Sequence, residues 1–434
     1  MRSVSGVQNA TSAPAERVIP LKHIARVNVA TLDDMTDPDY AFDYVDISSV
    51  TPEEGIARRE RVTFGTAPSR ARRKVAHGDT IASTVRTYLR AVAFVDEPDD
   101  LVVSTGFAVL SPCPGVDPRY LYRAVQSKPF VDEVVAQSTG VSYPAINPSD
   151  LGRIGVCLPD LGAQRAIADF LDRETEKIDP LVAKKQRLIE LLQEKRTALI
   201  SRAVTKGLDP DVPLKDSGIE WLGAIPAEWD AVPLGRIASS LQTGPFGSQL
   251  HSHEYIDDGT PVINPSNLRD GRVIPDWRCS VDEETAGRLN RHRVEAGDIV
   301  FGRRGEMGRC GLVRPAEEGW LCGTGCLRVK LQDELAVPAF FVLQLATNRV
   351  RDWLLLESVG STMDNLNTSV VSRIPVAVPP VGTQHHIVSI LAAHTAGLDT
   401  LATRVEAAIG CLGELRSALI TAAVTGQVDV RAAL

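Results

Sequence analysis

Two stretches of this chain concentrate side chains that can bind phosphates and base edges. Residues 58–90 contain nine basic residues and two acidic ones, and residues 288–314 contain seven arginines and three acids. Basic groups neutralise backbone phosphates, and arginine also binds guanine through two parallel hydrogen bonds. The formal net charge is -8, but a local patch governs phosphate contact more than the total does. The pattern predicts a nucleic-acid surface in each stretch; a solvated surface with unevenly spread charge is the alternative.

Side-chain type gives a set of candidate DNA contacts, because Asn and Gln can pair with adenine as Arg pairs with guanine. In the first half of the chain the candidates are Arg58, Arg59, Arg61, Arg70, Arg72, Arg73, Lys74, Thr84, Arg86, Tyr88 and Arg90. In the second half they are Gln242, Ser248, Gln249, Asn264, Asn267, Arg303, Arg304 and Arg309. His251 and His253 lie in a predicted loop and either contact DNA or are simply exposed. Residue type does not separate base contacts from phosphate contacts.

The sequence lacks the motifs of enzymes that act on nucleic acids. Residues 37–40, Asp-Pro-Asp-Tyr, are the nearest string to an adenine methyltransferase motif and lack its second proline. There is no phosphate-binding loop that ends in Gly-Lys-Ser/Thr, and no acid pair with a following lysine of the nuclease kind. Glycines at 302, 305, 308 and 311 fit a phosphate cradle or hairpin turns equally well. We expect no catalysis and no cofactor in this chain.

Cysteine and histidine spacing gives no metal site. Cys322 and Cys326 are four residues apart, without a companion pair at zinc-finger spacing, so buried thiols are the expectation. His385 and His386 fall in the first turn of a predicted helix, where capping or a partner contact is the better interpretation.

The chain contains an internal duplication. Residues 154–209 align with residues 374–429 at a constant offset of 220, and 21 of the 56 pairs are identical. A fainter match precedes each copy: residues 18–21 resemble 231–234, and residues 75–81 resemble 294–300. The offset drifts from 213 to 220 along this region, so insertions lie between matched elements. The chain is therefore predicted to be two half-molecules in series. Each consists of a head that differs between the copies, followed by a long helix that the copies share.

Each head is predicted to be an α+β domain with a small twisted sheet and interspersed helices. Short apolar runs at 298–301, 311–313 and 327–330 lie between Gly, Pro and Asp residues, which is typical of strands. Residues 118–138 and 337–356 are predicted to be helical.

The duplicated segments are predicted to be long helices that form an antiparallel coiled coil under pseudo-twofold symmetry. In the second copy apolar residues recur every seven residues at position a, and in both copies leucine or alanine recurs three residues later, at position d. The a positions are Leu171, Ile178, Leu192 and Leu199 in the first copy and Leu391, Leu398, Val405, Leu412 and Leu419 in the second. The d positions include Leu181, Leu188, Leu401, Ala408, Leu415 and Ala422. Polar residues interrupt the first copy at Glu174, Lys185 and Lys195. A helix of about 40 residues is about 60 Å long.

The predicted organisation has seven segments in the 434 residues. They are a flexible tail at 1–16, a head at 17–157, a helix at 158–206, a linker at 207–229, a second head at 230–378, a second helix at 379–427 and a tail at 428–434. No uninterrupted apolar run reaches 18 residues, and the N-terminus has no secretory apolar region, so no membrane association is expected. Seven irregularly spaced cysteines favour reduced thiols and a cytoplasmic location.

Several motifs resemble one family. Residues 216–229, Asp-Ser-Gly-Ile-Glu-Trp-Leu-Gly-Ala-Ile-Pro-Ala-Glu-Trp, look like the lead-in to a target recognition domain, as does Gly-Pro-Phe-Gly-Ser at 244–248. Pro159 and Gln164 at the start of the first helix, and Arg-Thr-Ala-Leu-Ile-Ser at 196–201, look like repeated spacer regions. The chain resembles the specificity subunits of type I restriction-modification systems over nearly its whole length after the tail.

The resemblance implies a function. Each head would be a target recognition domain for one half of a bipartite, asymmetric site in double-stranded DNA, and the helix pair would set the gap. The helices would also dock two methyltransferase subunits, which bring S-adenosylmethionine and methylate adenine N6. Two restriction subunits with ATP and Mg²⁺ would join for cleavage. This chain would be non-catalytic.

Other classes of function stay open on the sequence alone. A coiled-coil scaffold without a DNA role is one, although the basic clusters and the divergence between the heads disfavour it. An orphan specificity subunit without a nuclease partner is another. A fused enzyme with an unrecognised active site is disfavoured by the missing motifs.

Overall fold

Each of the two units of this protein combines one head with segments of both long helices. The computed structural model describes residues 17–52, 54–140, 143–247, 249–358 and 366–430. The predicted tail at 1–16 lies outside the described residues, as does the end of the C-terminal tail at 431–434. Unit 1 comprises the chain up to residue 188 together with the segment from 405 onward, and unit 2 comprises residues 189–404.

Unit 1 contains twelve strands among the residues described. The strands are β1 Arg17–Pro20, β2 Ala25–Val27, β3 Ala41–Val45, β4 Val50–Thr51, β5 Gly55–Ile56, β6 Glu60–Thr63, β7 Ala71–Lys74, β8 Thr80–Ser83, β9 Val92–Phe94, β10 Leu101–Ser104, β11 Phe107–Pro112 and β12 Gly155–Leu158. The helices that begin in this part are α1 Pro118–Gln126, α2 Lys128–Gln137, α3 Pro148–Leu151 and α4 Leu161–Lys206. The helical stretch predicted at 118–138 is present as two helices, because Pro129 follows a turn at Ser127.

Two four-stranded sheets form the first head, in the orders β6-β3-β10-β7 and β2-β11-β8-β9. The predicted combination of sheet and helices is confirmed, and the strands of this head divide between two larger sheets. Strand β10 has the fully buried pattern Leu-Val-Val-Ser, and short strands with little alternation do not reveal which sheet they join. Helix α1 carries Tyr120 and Leu121 into the same core as Leu171 of α4.

Unit 2 also combines short strands and short helices with parts of both long helices. Its strands are β13 Leu214–Asp216, β14 Ala224–Pro226, β15 Asp230–Pro233, β16 Ala238–Thr243, β17 Thr260–Ile263, β18 Leu268–Arg269, β19 Gly271–Val273, β20 Ser280–Val281, β21 Ile299–Gly302, β22 Cys310–Leu312, β23 Leu321–Cys322, β24 Cys326–Leu331 and β25 Pro375–Val378. Its helices are α5 Glu283–Arg288, α6 Pro338–Leu345, α7 Asn348–Ser358, α8 Thr368–Arg373 and α9 Val381–Val424, of which α9 ends in unit 1. The main sheet has six strands in the order β16-β24-β21-β22-β19-β18.

The faint repeat between the heads corresponds to a shared pair of strands. In unit 1, β1 pairs antiparallel with β12, with Arg17 opposite Leu158. In unit 2, β15 pairs antiparallel with β25, with Asp230 opposite Val378. The first strand of each head thus pairs with the strand that immediately precedes its long helix. This pairing holds the head and the start of the helix together.

A buried glutamine fixes the start of each long helix. Gln164 accepts a hydrogen bond from the Asp117 backbone N–H at 2.8 Å and donates to the Pro159 carbonyl at 2.9 Å. Gln384 repeats these bonds at the offset of 220, accepting from the Val337 N–H at 2.7 Å and donating to the Pro379 carbonyl at 2.8 Å. Both glutamines are almost wholly buried. Each one therefore satisfies backbone groups at the end of the loop before a head helix and at the start of a long helix.

The linker at 207–229 packs against the second head. Trp229 is buried, and its ring meets Phe340 edge-on with centroids 6.3 Å apart. Leu222 and Ile225 join the same core. Trp221 is partly buried against this core, so both tryptophans of the segment pack on the second head.

The two long helices run antiparallel within each unit. In unit 1, Leu171 near the start of α4 shares a core with Val424 at the end of α9, and Asp179 pairs with Arg416. In unit 2, Val204 near the end of α4 shares a core with Ile387 near the start of α9. The helices have 46 and 44 residues, and they lie within the predicted segments 158–206 and 379–427.

The buried stripe follows the predicted a positions, but the assignment of its second row to d is wrong. Leu171, Ile178 and Leu192 are buried, and so is Val182, which lies four residues after an a position rather than three. Four leucines at d are exposed; we call them the outer leucines, Leu181, Leu188, Leu401 and Leu415. Heptads with spacing 3-4 and 4-3 contain the same period, so the period alone does not select the buried row.

Helix α9 is unusually apolar. By length and composition it could cross a membrane. Only 17% of the 18-residue stretch that is apolar enough to do so is buried. This finding differs from the sequence expectation, which considered only uninterrupted apolar runs. Since Leu391 and Ile420 pack in the cores of units 2 and 1, the composition is weak evidence for a membrane span. It leaves an exposed apolar surface on the helix.

Candidate nucleic-acid interface

In unit 1 one edge of the sheets collects several of the predicted basic residues. Ser83 at the end of β8 pairs with Phe107 at the start of β11, and Ser104 at the end of β10 pairs with Ala71 at the start of β7. The β10–β11 turn connects these ends, because its Thr105 N–H donates to the Arg70 carbonyl and its Gly106 carbonyl accepts from the Thr84 N–H. We call this edge, comprising residues 58, 70, 84–90 and 104–106, the first edge.

Five basic candidates in unit 1 are exposed and form no ion pair among the described residues. They are Arg58, Arg70, Lys74, Arg86 and Arg90. Arg58, Arg70, Arg86 and Arg90 lie on the first edge, whereas Lys74 lies at the far end of β7. The guanidinium of Arg86 lies over the Tyr143 ring, 4.6 Å from its centroid, and this cation–π contact leaves its N–H groups available. Arg90 lines a cavity of about 250 Å³ together with Asp179 and Arg416, so it faces the helix pair.

The other basic candidates of the first head have partners. Arg59 lies 3.6 Å from Glu97, Arg61 lies 3.2 Å from Asp43, and Arg72 lies 3.8 Å from Asp34. Arg73 is half-buried on β7, and burial lowers the pKa of its guanidinium. Its Nη1 has no hydrogen-bond partner among the described residues. These exposed or half-buried pairs are individually weak and could exchange for phosphate.

Two uncharged candidates lie in the same loop but differ in availability. The Thr84 hydroxyl donates to the Gly106 carbonyl at 2.9 Å and is buried, so it holds the loop in place. Tyr88 is 53% exposed and lies at the tip of a short 3-10 turn formed by Thr87–Leu89.

In unit 2 the predicted residues also gather at one edge of the main sheet. Thr243 at the end of β16 lies opposite Leu327, and Gly302 at the end of β21 lies opposite Cys326. The segment at 323–325 joins these ends to β17, because the Gly323 N–H donates to the Ile263 carbonyl. We call this edge, comprising residues 242–247, 249, 264–267, 303–309 and 323–325, the second edge. The predicted contact Ser248 lies outside the described residues.

The loops of the second edge are packed backbone against backbone. A Cβ on Gly244 would clash with the Gly323 carbonyl, and a Cβ on Gly323 would lie 2.7 Å from the Ile263 carbonyl oxygen. Glycine is therefore needed for this close approach. The packing gives the side chains on these loops a rigid base.

The three arginines predicted in unit 2 have different environments. The Nε of Arg303 donates to the Leu366 carbonyl at 2.9 Å, which makes its side chain part of the loop structure. Arg309 donates to Glu306, which also pairs with Arg351. The hydrogen bond from Arg309 and the charge of Arg351 hold the pKa of the Glu306 carboxyl below its usual value. Arg304 is exposed, with no ion pair in the described part of the chain.

The amide candidates are mostly engaged within the protein. Gln242 accepts from Arg328 at 3.0 Å, and Gln249 accepts from the Phe246 N–H at 3.1 Å. Asn267 is buried and accepts from the Asn264 N–H at 2.8 Å. Asn264 is half-buried at the rim of the edge. That these residues contact DNA stays a prediction.

Exposed aromatic residues near both edges were missing from the candidates. Tyr143 lies under Arg86 in unit 1, and Phe246, 63% exposed, follows β16 in unit 2. His251 and His253, which had been considered, stack in parallel with ring centroids 5.4 Å apart. The Gly-Pro-Phe-Gly string around Phe246 was a visible signal, whereas nothing in the sequence connects Tyr143 to Arg86.

The cysteines and histidines show no metal-like grouping in the part of the chain that is described. Burial raises the pKa of the Cys310 and Cys322 thiols to about 12. Cys326 is buried as well, in agreement with the prediction of buried thiols. His385 and His386 are exposed on the first turns of α9.

Comparisons with known proteins agree with this architecture. The family model described as the type I restriction modification DNA specificity domain matches residues 226–409. The EcoBI specificity subunit of Escherichia coli, a type I restriction enzyme subunit, is 23% identical over 317 residues, covering 72% of this chain and 66% of that protein. The EcoKI specificity subunit of Escherichia coli strain K12 is 23% identical over 326 residues, with the same coverage. The alignments thus span just under two thirds of these relatives.

A solved structure supports the fold over nearly the whole chain. It is a chain from work on complex assembly and conformational transition of the type I R-M system, with a TM-score of 0.68 at 22% identity. The match covers 96% of this chain and 99% of that chain. Residues 226–409 thus match the type I restriction modification DNA specificity domain, and the chain as a whole is similar to specificity subunits of type I restriction enzymes. Its fold is that of the matched chain from the type I R-M system.

Proposed function

We propose that this chain is the non-catalytic DNA-recognition subunit of a type I restriction-modification complex in the cytoplasm. Each head recognises one half of a bipartite, asymmetric site in double-stranded DNA, and the helix pair sets the gap between the halves. The observation that carries the proposal is that each unit has, on a loop edge, an exposed arginine without an ion pair among the described residues: Arg86 on the first edge and Arg304 on the second. Loops on a rigid scaffold suit recognition of different sequences by similar folds.

The outer leucines support a role in assembly. Leu181 is 47% exposed and Leu415 is 49% exposed, although both lie on long helices whose other faces are buried. Exposed apolar rows on paired helices are typical of protein-binding surfaces. We propose that they dock two methyltransferase subunits, one for each copy of the duplicated helix. Those subunits would bind S-adenosylmethionine and methylate adenine N6, and two restriction subunits with ATP and Mg²⁺ would add cleavage.

Mapping of methylated bases in cells tests this function. The chain is expressed with its cognate methyltransferase subunit in a host that lacks both, and a second culture expresses the methyltransferase subunit alone. We expect N6-methyladenine in a two-part motif with a fixed gap only in the first culture. An unchanged pattern of methylation, with both proteins present and soluble, would contradict the proposal.

The same experiment addresses the scaffold alternative. A scaffold without a DNA role would co-purify with partners but leave methylation unchanged. An orphan specificity subunit would direct methylation without cleavage, which a plasmid restriction assay in the same host distinguishes.

A further inference from the structure

Two loops occupy the same place in the two heads. Residues 84–90 follow β8, and residues 303–308 follow β21. Each loop begins with the same pair of backbone bonds. The Thr84 N–H donates to the Gly106 carbonyl and the Thr84 carbonyl accepts from Ile146, while Arg303 bonds in the same way with Gly325 and Leu366. Gly325 lies 219 residues after Gly106, and Leu366 lies 220 residues after Ile146, as the duplication requires.

The loops also close in the same way. The Ser83 N–H donates to the Ala91 carbonyl at 2.8 Å, and the Gly302 N–H donates to the Arg309 carbonyl at 2.9 Å. The loop of unit 1 therefore has seven residues and that of unit 2 has six. The duplicated bonds identify the loops as counterparts, although their sequences, Thr-Val-Arg-Thr-Tyr-Leu-Arg and Arg-Arg-Gly-Glu-Met-Gly, have little in common.

The backbone shows a second correspondence. In unit 2 the third and last loop residues are Gly305 and Gly308, with φ of 80° and 78°. In unit 1 the third and last residues are Arg86 and Arg90, both with φ of 53°. Glycine adopts this left-handed region freely, whereas an arginine there is strained. Strain of this kind is retained where the surrounding structure holds the residue for a function.

The loop of unit 1 is rigid and presents its tip to solvent. The Thr87 hydroxyl bonds the Ser138 hydroxyl at 2.8 Å, and the Arg86 N–H donates to the Pro144 carbonyl at 2.7 Å. Beyond these anchors, Tyr88 and Leu89 are exposed, two and three residues after Arg86 in the same loop. An apolar tip next to an arginine is the combination that enters a DNA groove and contacts base edges.

We infer that the loops at 84–90 and 303–308 are the equivalent base-recognition elements of the two heads, one for each half of the DNA site. The inference rests on the proposed function. Arg86 and the Tyr88–Leu89 tip contact the bases of one half-site, and Arg304 contacts the other. The strained arginine in one loop and glycine in the other give the two loops different chemistry on the same frame, so the two half-sites differ.

Selection from a pool of random-sequence DNA duplexes tests the inference, with the full chain in complex with its cognate methyltransferase subunit. The wild-type complex is compared with Arg86→Gly, Tyr88→Ala and Arg304→Ala. Arg86→Gly removes the guanidinium and relieves the backbone, so the loop keeps its path. Exposed arginines away from the edges provide matched controls. They are Arg153→Ala in unit 1 and Arg236→Ala in unit 2, which lies before the start of β16, at the opposite end of that strand from Thr243.

We expect Arg86→Gly and Tyr88→Ala to reduce base preference roughly fivefold or more at one or more positions of one half-site, and Arg304→Ala to do so only in the other half-site. The controls keep both. If the wild-type complex selects no two-part motif, the proposed function fails. If it selects one, but Arg86→Gly and Tyr88→Ala leave both half-sites unchanged or alter both equally, the inference is overturned. Tyr88→Ala decides the matter alone if Arg86→Gly does not fold.

Discussion

The Nε of Arg416 lies 2.9 Å from Oδ1 of Asp179, and this ion pair connects the two long helices within unit 1. The same pair recurs at the offset of 220 in unit 2, where the Nε of Arg196 lies 3.3 Å from Oδ1 of Asp399. A parallel pair of helices would bring each residue beside its own counterpart. An antiparallel pair brings Asp of one copy beside Arg of the other, twice. The duplication therefore generates two reciprocal ion pairs, because each copy of the helix carries one of these Asp residues and one of these Arg residues.

The first prediction concerns the unequal contributions of these pairs. The Arg416 and Asp179 side chains are 14% and 34% exposed, whereas those of Arg196 and Asp399 are 30% and 54% exposed. Asp179→Ala leaves a largely buried guanidinium without its partner and is expected to lower the free energy of unfolding by about 1–3 kcal/mol. Asp399→Ala is expected to cost less than about 1 kcal/mol, because water screens the exposed pair. Urea unfolding of each variant measures the difference.

The exchange of the two charges provides the control for this prediction. Asp179→Arg combined with Arg416→Asp restores an ion pair in the same place and should recover part of the lost stability. Equal losses for Asp179→Ala and Asp399→Ala would show that burial does not determine the strength of the pairs.

A second prediction concerns the glutamines that fix the helix starts. Gln164→Ala and Gln384→Ala each leave a partly buried backbone N–H and a carbonyl without the glutamine that now bonds them. An unsatisfied buried group costs about 1–3 kcal/mol, so we expect each variant to unfold at clearly lower denaturant concentration. Gln193→Ala, on the exposed face of α4, is the matched control and should change stability by less than about 0.5 kcal/mol. Native-like unfolding of both variants would mean that water replaces the glutamine bonds.

The sequence predicted the plan of this protein better than its details. The duplication and the heptad period were visible because packing repeats every seven residues in both copies. The buried row was not, since Leu181 and Val182 are adjacent, both apolar, and only the position of the partner helix decides which is covered. Likewise Arg303 and Arg304 are neighbours of one type, yet one is tied to the Leu366 carbonyl and the other faces solvent. Long-range backbone contacts make that distinction, and the sequence does not display them.

The outer leucines give a third prediction, which separates folding from assembly. Leu181→Gln, Leu188→Gln and Leu415→Gln together change exposed side chains in unit 1 and should alter the free energy of unfolding by no more than about 1.5 kcal/mol, roughly 0.5 for each. Their loss from an apolar interface should weaken binding of the methyltransferase subunit tenfold or more. Calorimetric titration measures the affinity. Val182→Ala is the contrasting variant, because its buried side chain affects stability first; unchanged affinity in the triple variant would place the docking surface elsewhere.

The last prediction distinguishes two neighbouring arginines on the second edge by the salt dependence of DNA binding. Arg304 is exposed and available to DNA, whereas the Arg303 guanidinium already donates to the Leu366 carbonyl. If Arg304 contacts a phosphate as well as a base edge, Arg304→Ala should reduce the slope of log K against log salt by about 0.9. Arg304→Lys keeps the charge and should keep most of the slope while it loses base preference, because lysine cannot form the two parallel bonds of a guanidinium. Arg303→Ala should instead lower thermal stability, since it removes a bond that holds the loop. Fluorescence anisotropy with one fixed duplex measures the slopes over roughly 50 to 300 mM salt, a range around physiological ionic strength. A larger change of slope for Arg303→Ala than for Arg304→Ala would show that Arg303, not Arg304, contacts the DNA.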